Sequence, residues 1–200
     1  REGVAAGDLP ASMQVFLDSP MAISATEIFR RHQECYDAEA TELFRNGADP
    51  FDLPGLHFTR ETAESIALNR VDGGAVIMAG SGMCTGGRVR HHLRHNLAHG
   101  DCSVIFVGYA AEGTLARIIV DGAKSVKLFG DEIPVRAHIH TINGFSAHAG
   151  QGDLVDWHRR TGTPGVTFLV HGEDAPREKL AARLRPSRVE LPGLHTRHEL

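Results

Sequence analysis

The 200-residue sequence is short of cysteine, with only Cys35, Cys84 and Cys102, and no two of them stand in a CxxC spacing. That excludes a disulfide framework and a zinc knuckle, and points to a reducing, hence cytoplasmic, compartment. No window approaches the roughly 18 to 20 apolar residues of a membrane span, so no membrane partner is expected. The start, Arg1 to Pro10, has neither the basic nor the apolar segment of a signal peptide. It also lacks an initiating Met, which reads as the latter part of a longer protein or as a processed chain. Positive charge is in deficit too: 21 Lys and Arg face 25 Asp and Glu, for a net charge of -4. A globally basic surface for nucleic acid is therefore excluded, and any such partner needs a local patch.

What is present is an ordinary globular composition, 42% apolar and 23% charged, with one oddity, 13 histidines. The length suits one large domain or two small ones. Apolar runs of strand length alternate with helical patterns, the mark of an α/β fold with a mostly parallel sheet and flanking helices. Met13 to Leu17 reads as a strand, and Ser19-Pro20 caps a helix running through Phe29 towards Tyr36. A second helical stretch ends near Gly47, and Thr59 is placed to cap a helix through Asn69. Ala75 to Ala79 is apolar throughout, as a fully buried strand is, and Ser103 to Val107 repeats that pattern. Helices over Arg88 to Ala98 and from Thr114 to Val120 complete the alternation. Val126 to Phe129 and Ile133 to Ile142 flank Gly130-Asp131 and read as an antiparallel hairpin, where we place a domain boundary. Beyond it come a helix around Asp153 to Arg160, a strand at Val166 to Val170, a helix at Arg177 to Leu184 and a last strand near Val189.

Chemistry is expected after the strands, because parallel sheets bind ligands where carboxyl ends of strands meet helix N-termini. Asp18-Ser19-Pro20, Gly80 to Gly87, Gly108-Tyr109 with Glu112-Gly113-Thr114, and His171-Gly172-Glu173 all occupy such places. The glycine loop has P-loop spacing from Gly82 to Gly87, but Arg88-Val89 stands where Lys-Ser/Thr is required. Thr85 takes the place of a Rossmann fingerprint's third glycine, and His148 that of the last glycine of a nucleophile elbow. His91, His95 and His99 share a spacing of four, but Arg88, Arg90 and Arg94 crowd the same helix. A helix face meeting phosphate, or simply water, accounts for them better than a metal site. His138 and His140 lack the further Asp-His of a hydrolytic metal motif, whereas His148 and His171 sit in small-residue loops able to project into a cleft.

Three stretches together resemble the β-CASP branch of the metallo-β-lactamase-fold nucleic-acid hydrolases, which includes the 3′-end processing endonuclease of pre-mRNA and bacterial RNases. Phe145-Ser146-Ala147-His148-Ala149 is similar to that family's SAH motif, Leu169-Val170-His171-Gly172-Glu173 to its VHGE motif, and Gly108-Tyr109 through Glu112-Gly113-Thr114-Leu115-Ala116 to its GY..EGTLA segment. Asp18 to Ala22 and the Gly80 to Arg88 loop add to the likeness. The resemblance implies that His171 is a zinc ligand and that His148 lies beside the scissile phosphate, donating a proton or stabilising charge. Glu173 and Ser146 would orient those groups. Two zinc ions are expected in the full-length protein, but the family's HxHxDH run, two further ligands and the acidic partner of the SAH histidine are absent here. His138-Ile139-His140, Asp101 and Asp131 do not replace them.

The expected organisation is therefore a β-CASP domain over residues 1–130 and the returning part of a metallo-β-lactamase αββα domain over 131–200. Such a chain would supply the RNA clamp of a zinc-dependent ribonuclease and be silent alone. RNA, or DNA, would meet Ser81, Gly82, Gly86, Gly87, Arg88, Tyr109, Gly113 and Thr114, with Arg90, Arg94 and Arg117 adding charge. A second copy of the chain is a further candidate partner. The other reading is a non-catalytic module of that family, binding RNA or protein after loss of its ligands.

Overall fold

The computed structural model describes residues 2–53 and 55–198. A short helix α1 (Glu2–Ala5) precedes a parallel sheet of β1 (Gln14–Leu17), β2 (Leu56–Phe58) and β3 (Ala75–Met78), in the order β2-β1-β3. Helix α2 (Pro20–Arg31) begins as the sequence requires: Ser19 Oγ accepts the Ala22 N–H at 3.4 Å, and Pro20 occupies the first turn. It stops at Arg31, short of Tyr36, where a tight turn over Gln33–Cys35 intervenes. Asp37 caps α3 (Ala38–Arg45), accepting from the Ala40 N–H at 2.9 Å.

The expected cap of the next helix is corrected. Helix α4 (Thr62–Ala67) starts from Glu61, whose N–H donates to the Glu64 carboxylate at 2.9 Å. Thr59 instead turns inward, donating its hydroxyl to Asp18 at 2.6 Å, because a buried carboxylate is the stronger acceptor.

Helix α5 (Val89–Asn96) leads to β4 (Ser103–Phe106), and α6 (Leu115–Val120), capped by Thr114, leads to a hairpin of β5 (Ser125–Leu128) and β6 (Asp131–Pro134). The turn is made by Phe129 and Gly130, at φ of 51° and 96°. The expected second arm to Ile142 is two strands. Pro134 has no amide to continue the ladder, and the Arg136 and Ala137 amides turn to Leu97 O at 2.8 and 3.0 Å. The chain then forms β7 (His138–Thr141), parallel to β4. Backbone pairing thus runs across residue 130. Leu93, Leu97, Phe106, Ala116, Ile119, Val126 and Leu128 form the principal core around these elements. Each of these side chains other than Ala116 contributes about 1.5–3 kcal/mol by burial.

Helix α7 (Gln151–Arg160) and helix α8 (Asp174–Arg183) flank a short parallel pair, β8 (Thr167–Phe168) and β9 (Val189–Glu190). His158 is buried, its Nε2 2.8 Å from Thr167 Oγ1, and ties α7 to β8. No helix among the described residues is long and apolar enough to cross a membrane.

The apolar strands are covered on one side only. Val76 and Met78 on β3 are each 42% exposed and Ile105 on β4 is 54% exposed, so the expectation of fully buried strands fails. The described helices cover one face of these short sheets and leave the other open. Cys84 is 1% exposed, and burial pushes its thiol up to about 11. At pH 8 a thiol reagent should therefore modify exposed Cys35 first and reach Cys84 only on unfolding, as peptide mapping of partly alkylated protein would show.

Candidate functional site

The carboxyl end of β1 carries Asp18, which is wholly buried yet fully bonded. Its Oδ1 accepts from Thr59 Oγ1 at 2.6 Å and Arg88 Nη1 at 2.8 Å; its Oδ2 accepts from Ser65 Oγ at 2.7 Å and His92 Nε2 at 2.6 Å. Burial alone would raise this carboxyl's pKa. Hydrogen bonds from Ser65, Thr59, His92 and Arg88 outweigh it and hold the group below the ordinary 3.8.

This network redefines Arg88. Besides Asp18, its guanidinium donates to the Thr59 carbonyl at 2.8 Å and the Arg60 carbonyl at 2.7 Å, so it fastens the loop after β2 to the start of α5. The reading of Arg88 as a phosphate contact gives way to this inward role. Among its basic neighbours, Arg94 meets Asp131 at 2.6 Å and Arg117 meets Asp121 at 2.9 Å.

The glycine loop closes on itself. The Ser81 N–H donates to Gly86 O at 3.4 Å and the Val89 N–H to Gly80 O at 3.2 Å. Gly87 sits at φ 77°, and a Cβ there would stand 2.4 Å from Gly80 O, so only glycine permits this approach. Gly82 and Gly86 have open space beside them. Met83 joins this loop to the one after β4: its sulfur accepts the Ala111 N–H at 3.2 Å and its carbonyl the Ala116 N–H at 3.2 Å. Gly113, at φ 77°, shapes that second loop before Thr114 caps α6.

The second loop in turn holds the His171 turn. Tyr109 donates its hydroxyl to Glu173 Oε1 at 2.7 Å, and the Glu112 N–H donates to the same oxygen at 2.9 Å. The Glu112 amide, the Tyr109 hydroxyl and nearby Arg117 keep the Glu173 carboxyl below its usual range, and the hydrogen bond to that carboxylate, with desolvation and its charge, pushes the Tyr109 phenol up. With only two tyrosines in the chain, this is readable by phenolate absorbance. Glu173→Gln should move one of the two alkaline titrations back towards the ordinary value, and an unchanged curve would refute the bond.

His171 itself is exposed at φ 66°, a left-handed backbone uncommon for a residue with a side chain, followed by Gly172 at φ 109°. His148 is exposed, with Nδ1 3.0 Å from Ser146 Oγ. Ser146 is thus beside His148, and Glu173 beside Tyr109. Among the described residues no group of three or more His, Cys, Asp or Glu could hold a metal ion. A catalytic zinc site takes three protein donors, so the described residues do not complete one by themselves.

Comparison with known proteins decides the family, since residues 3–119 match the model of the Beta-Casp domain. The chain belongs to the Beta-Casp family. Residues 132–196 match a second model, the Zn-dependent metallo-hydrolase RNA specificity domain; the first match ends within α6 and the second begins within β6, with β5 between them. The chain is 43% identical over 168 residues to Ribonuclease TTHA0252 of Thermus thermophilus, covering 84% of this chain and 38% of that protein. It is 33% identical to Transcription termination factor FttA of Methanocaldococcus jannaschii, covering 80% and 26%. An RNase J-like protein of the same organism is 30% identical, covering 76% and 34%. The chain therefore spans about a quarter to two fifths of the length of these relatives.

Within this Beta-Casp domain, sequence reasoning did not single out Asp18, Ser65 or His92 for the buried network. The usable signal was an acid at the end of an apolar strand, a position it cannot occupy buried without several donors. His158, which no motif in the sequence marks, is a buried tie. The group from His91 to His99 divides, with His92 turned inward and His91 stacked on Phe129 at 4.7 Å.

Proposed function

We propose that this chain is the RNA-clamping portion of a zinc-dependent RNA phosphodiesterase. One observation carries the reading: Glu173 clasps the His171 turn to the Tyr109–Glu112 loop, and Met83 clasps that loop to the glycine loop, so these three loops form one bonded edge. The β-CASP match and the relatives named as ribonucleases agree with it.

His171, held in its left-handed turn, is one zinc donor, and the remaining donors lie outside the described residues. His148 is the proton-transferring group. Ser146 engages its Nδ1, which leaves Nε2 free of partners among the described residues to face substrate. Ser81, Gly82, Gly86 and Gly87 present small, open backbone to a phosphate, with Tyr109, Gly113 and Thr114 along the same edge. Glu173 positions the loops rather than the metal.

The test compares the full-length protein with this chain in a cleavage assay on single-stranded RNA. The chain binds RNA, increasingly as salt falls, and does not cleave it; the full-length protein cleaves. Cleavage surviving His171→Ala would overturn the assignment, and salt-independent binding would overturn the clamp.

A further inference from the structure

One arginine of α5 departs from its neighbours. The Arg90 side chain makes no hydrogen bond or ion pair with any described residue, and its Nε is shut off from solvent without a partner. Arg88, Arg94 and Arg117 each have a carboxylate. Arg90 is nevertheless held in place. Its guanidinium carbon lies 4.6 Å from the centroid of the Phe129 ring, which the left-handed turn of the hairpin swings against α5. A cation seated on an aromatic ring loses little further freedom when it meets an anion.

Arg90 lines a cleft of about 460 Å³ between α5, α6 and β5, together with Thr85, Ser125 and Lys127 and the apolar Leu115 and Ile118. The Lys127 side chain lines the same cleft and makes no ion pair or hydrogen bond with a described residue. No carboxylate lines this cleft. Glu132 stands across the ladder from Lys127, beside the cleft rather than in its lining, and its Oε1 accepts the Ser125 hydroxyl at 2.6 Å. Arg90, which has no carboxylate partner, together with Lys127 and the Thr85 hydroxyl thus borders a space with apolar walls, the chemistry that receives an anionic oxygen cluster.

We propose that this cleft is a phosphate site, filled by a backbone phosphate of the RNA strand. The phosphate chemistry stands on the cleft alone; its source in RNA rests on the proposed function. The site lies on the hairpin side of the glycine loop, so it would extend the strand's path beyond the edge that carries His171.

Nitrogen-15 NMR of the whole chain decides it, because a buried arginine Nε–H exchanges slowly enough to be seen. Inorganic phosphate and a single-stranded hexauridylate, each titrated with chelator present, are both expected to shift the Arg90 Nε–H resonance. In RNA-binding assays Arg90→Met and Lys127→Met each lower affinity roughly three- to tenfold and reduce the salt slope by about one. Arg159→Gln, an equal charge loss on α7, stays within about twofold. A melting curve reports folding of each variant, and surface Lys127→Met carries the test if Arg90→Met fails to fold. A shift with inorganic phosphate alone keeps the site and overturns RNA as its source. No shift with either ligand, or variants indistinguishable from Arg159→Gln, overturns the site. Absence of RNA binding by the unsubstituted chain defeats the proposed function, while the phosphate titration still decides the cleft.

Discussion

Asp18→Ala lowers the unfolding free energy by about 3–5 kcal/mol, the usual cost of removing one partner from a buried ion pair. The loss exceeds that of a single hydrogen bond because four donors are orphaned together. The Arg88 guanidinium and the His92 imidazole lose their acceptor in a site with almost no water, and the Thr59 and Ser65 hydroxyls lose theirs. The damage is also spread along the chain, since the network joins the ends of β1 and β2 to α4 and α5. Urea unfolding followed by far-ultraviolet circular dichroism measures it, and a change below about 1 kcal/mol would refute the network's role. Asp18→Asn is milder but still destabilising, because an amide cannot accept at all four positions.

The same carboxylate gives the effect a sign in pH. Its folded pKa lies below the unfolded value, so its contribution is complete above about pH 3.9 and is lost as pH falls through the folded value. The gap between the natural chain and Asp18→Ala should accordingly be widest near neutrality and narrow under strongly acid conditions. A gap that widened in acid would mean that Asp18 is protonated in the native state.

His148→Ala in the full-length protein reduces the rate of RNA cleavage by about 10²–10⁴-fold, the range for loss of a general acid or base. RNA affinity stays nearly constant, so kcat carries the effect and KM does not. Ser146→Ala produces a smaller loss, because it frees the Nδ1 side of the imidazole without removing the ring. His171→Ala also abolishes cleavage, but zinc content falls with it, which separates a metal donor from a proton donor. If His148→Ala instead weakened RNA binding and left kcat intact, His148 would be a binding residue, and the assignment would be wrong.

Much of the scaffold was legible because it depends on local chemistry. The Ser19 and Thr114 caps, the parallel β1 and β3 strands and the Gly130 turn follow from residues adjacent in the chain. The SAH, VHGE and GY..EGTLA stretches carried the family for the same reason, since their side chains and glycines fall at short, readable spacings. Other expectations failed where a distant partner intervened. Thr59 is a sound helix cap locally, but 41 residues earlier stands an acid with a stronger claim on its hydroxyl. Arg88 looks like a phosphate ligand beside a glycine loop until three inward acceptors take its donors.

Sequence by itself determined that this is an α/β chain of the Beta-Casp family, without a cysteine framework, a membrane-spanning run or a general positive charge, because composition and short-range pattern bear directly on those properties. Tertiary structure alone decided how the histidines outside the SAH and VHGE stretches divide: His92 and His158 went into the interior and His91 onto Phe129. It also decided which cations are spoken for, leaving Arg90 without a carboxylate while Arg88, Arg94 and Arg117 have one. The reason is physical. A side chain's charge is written in its own residue, but whether that charge is neutralised, buried or free depends on groups that only folding brings within about 3 Å.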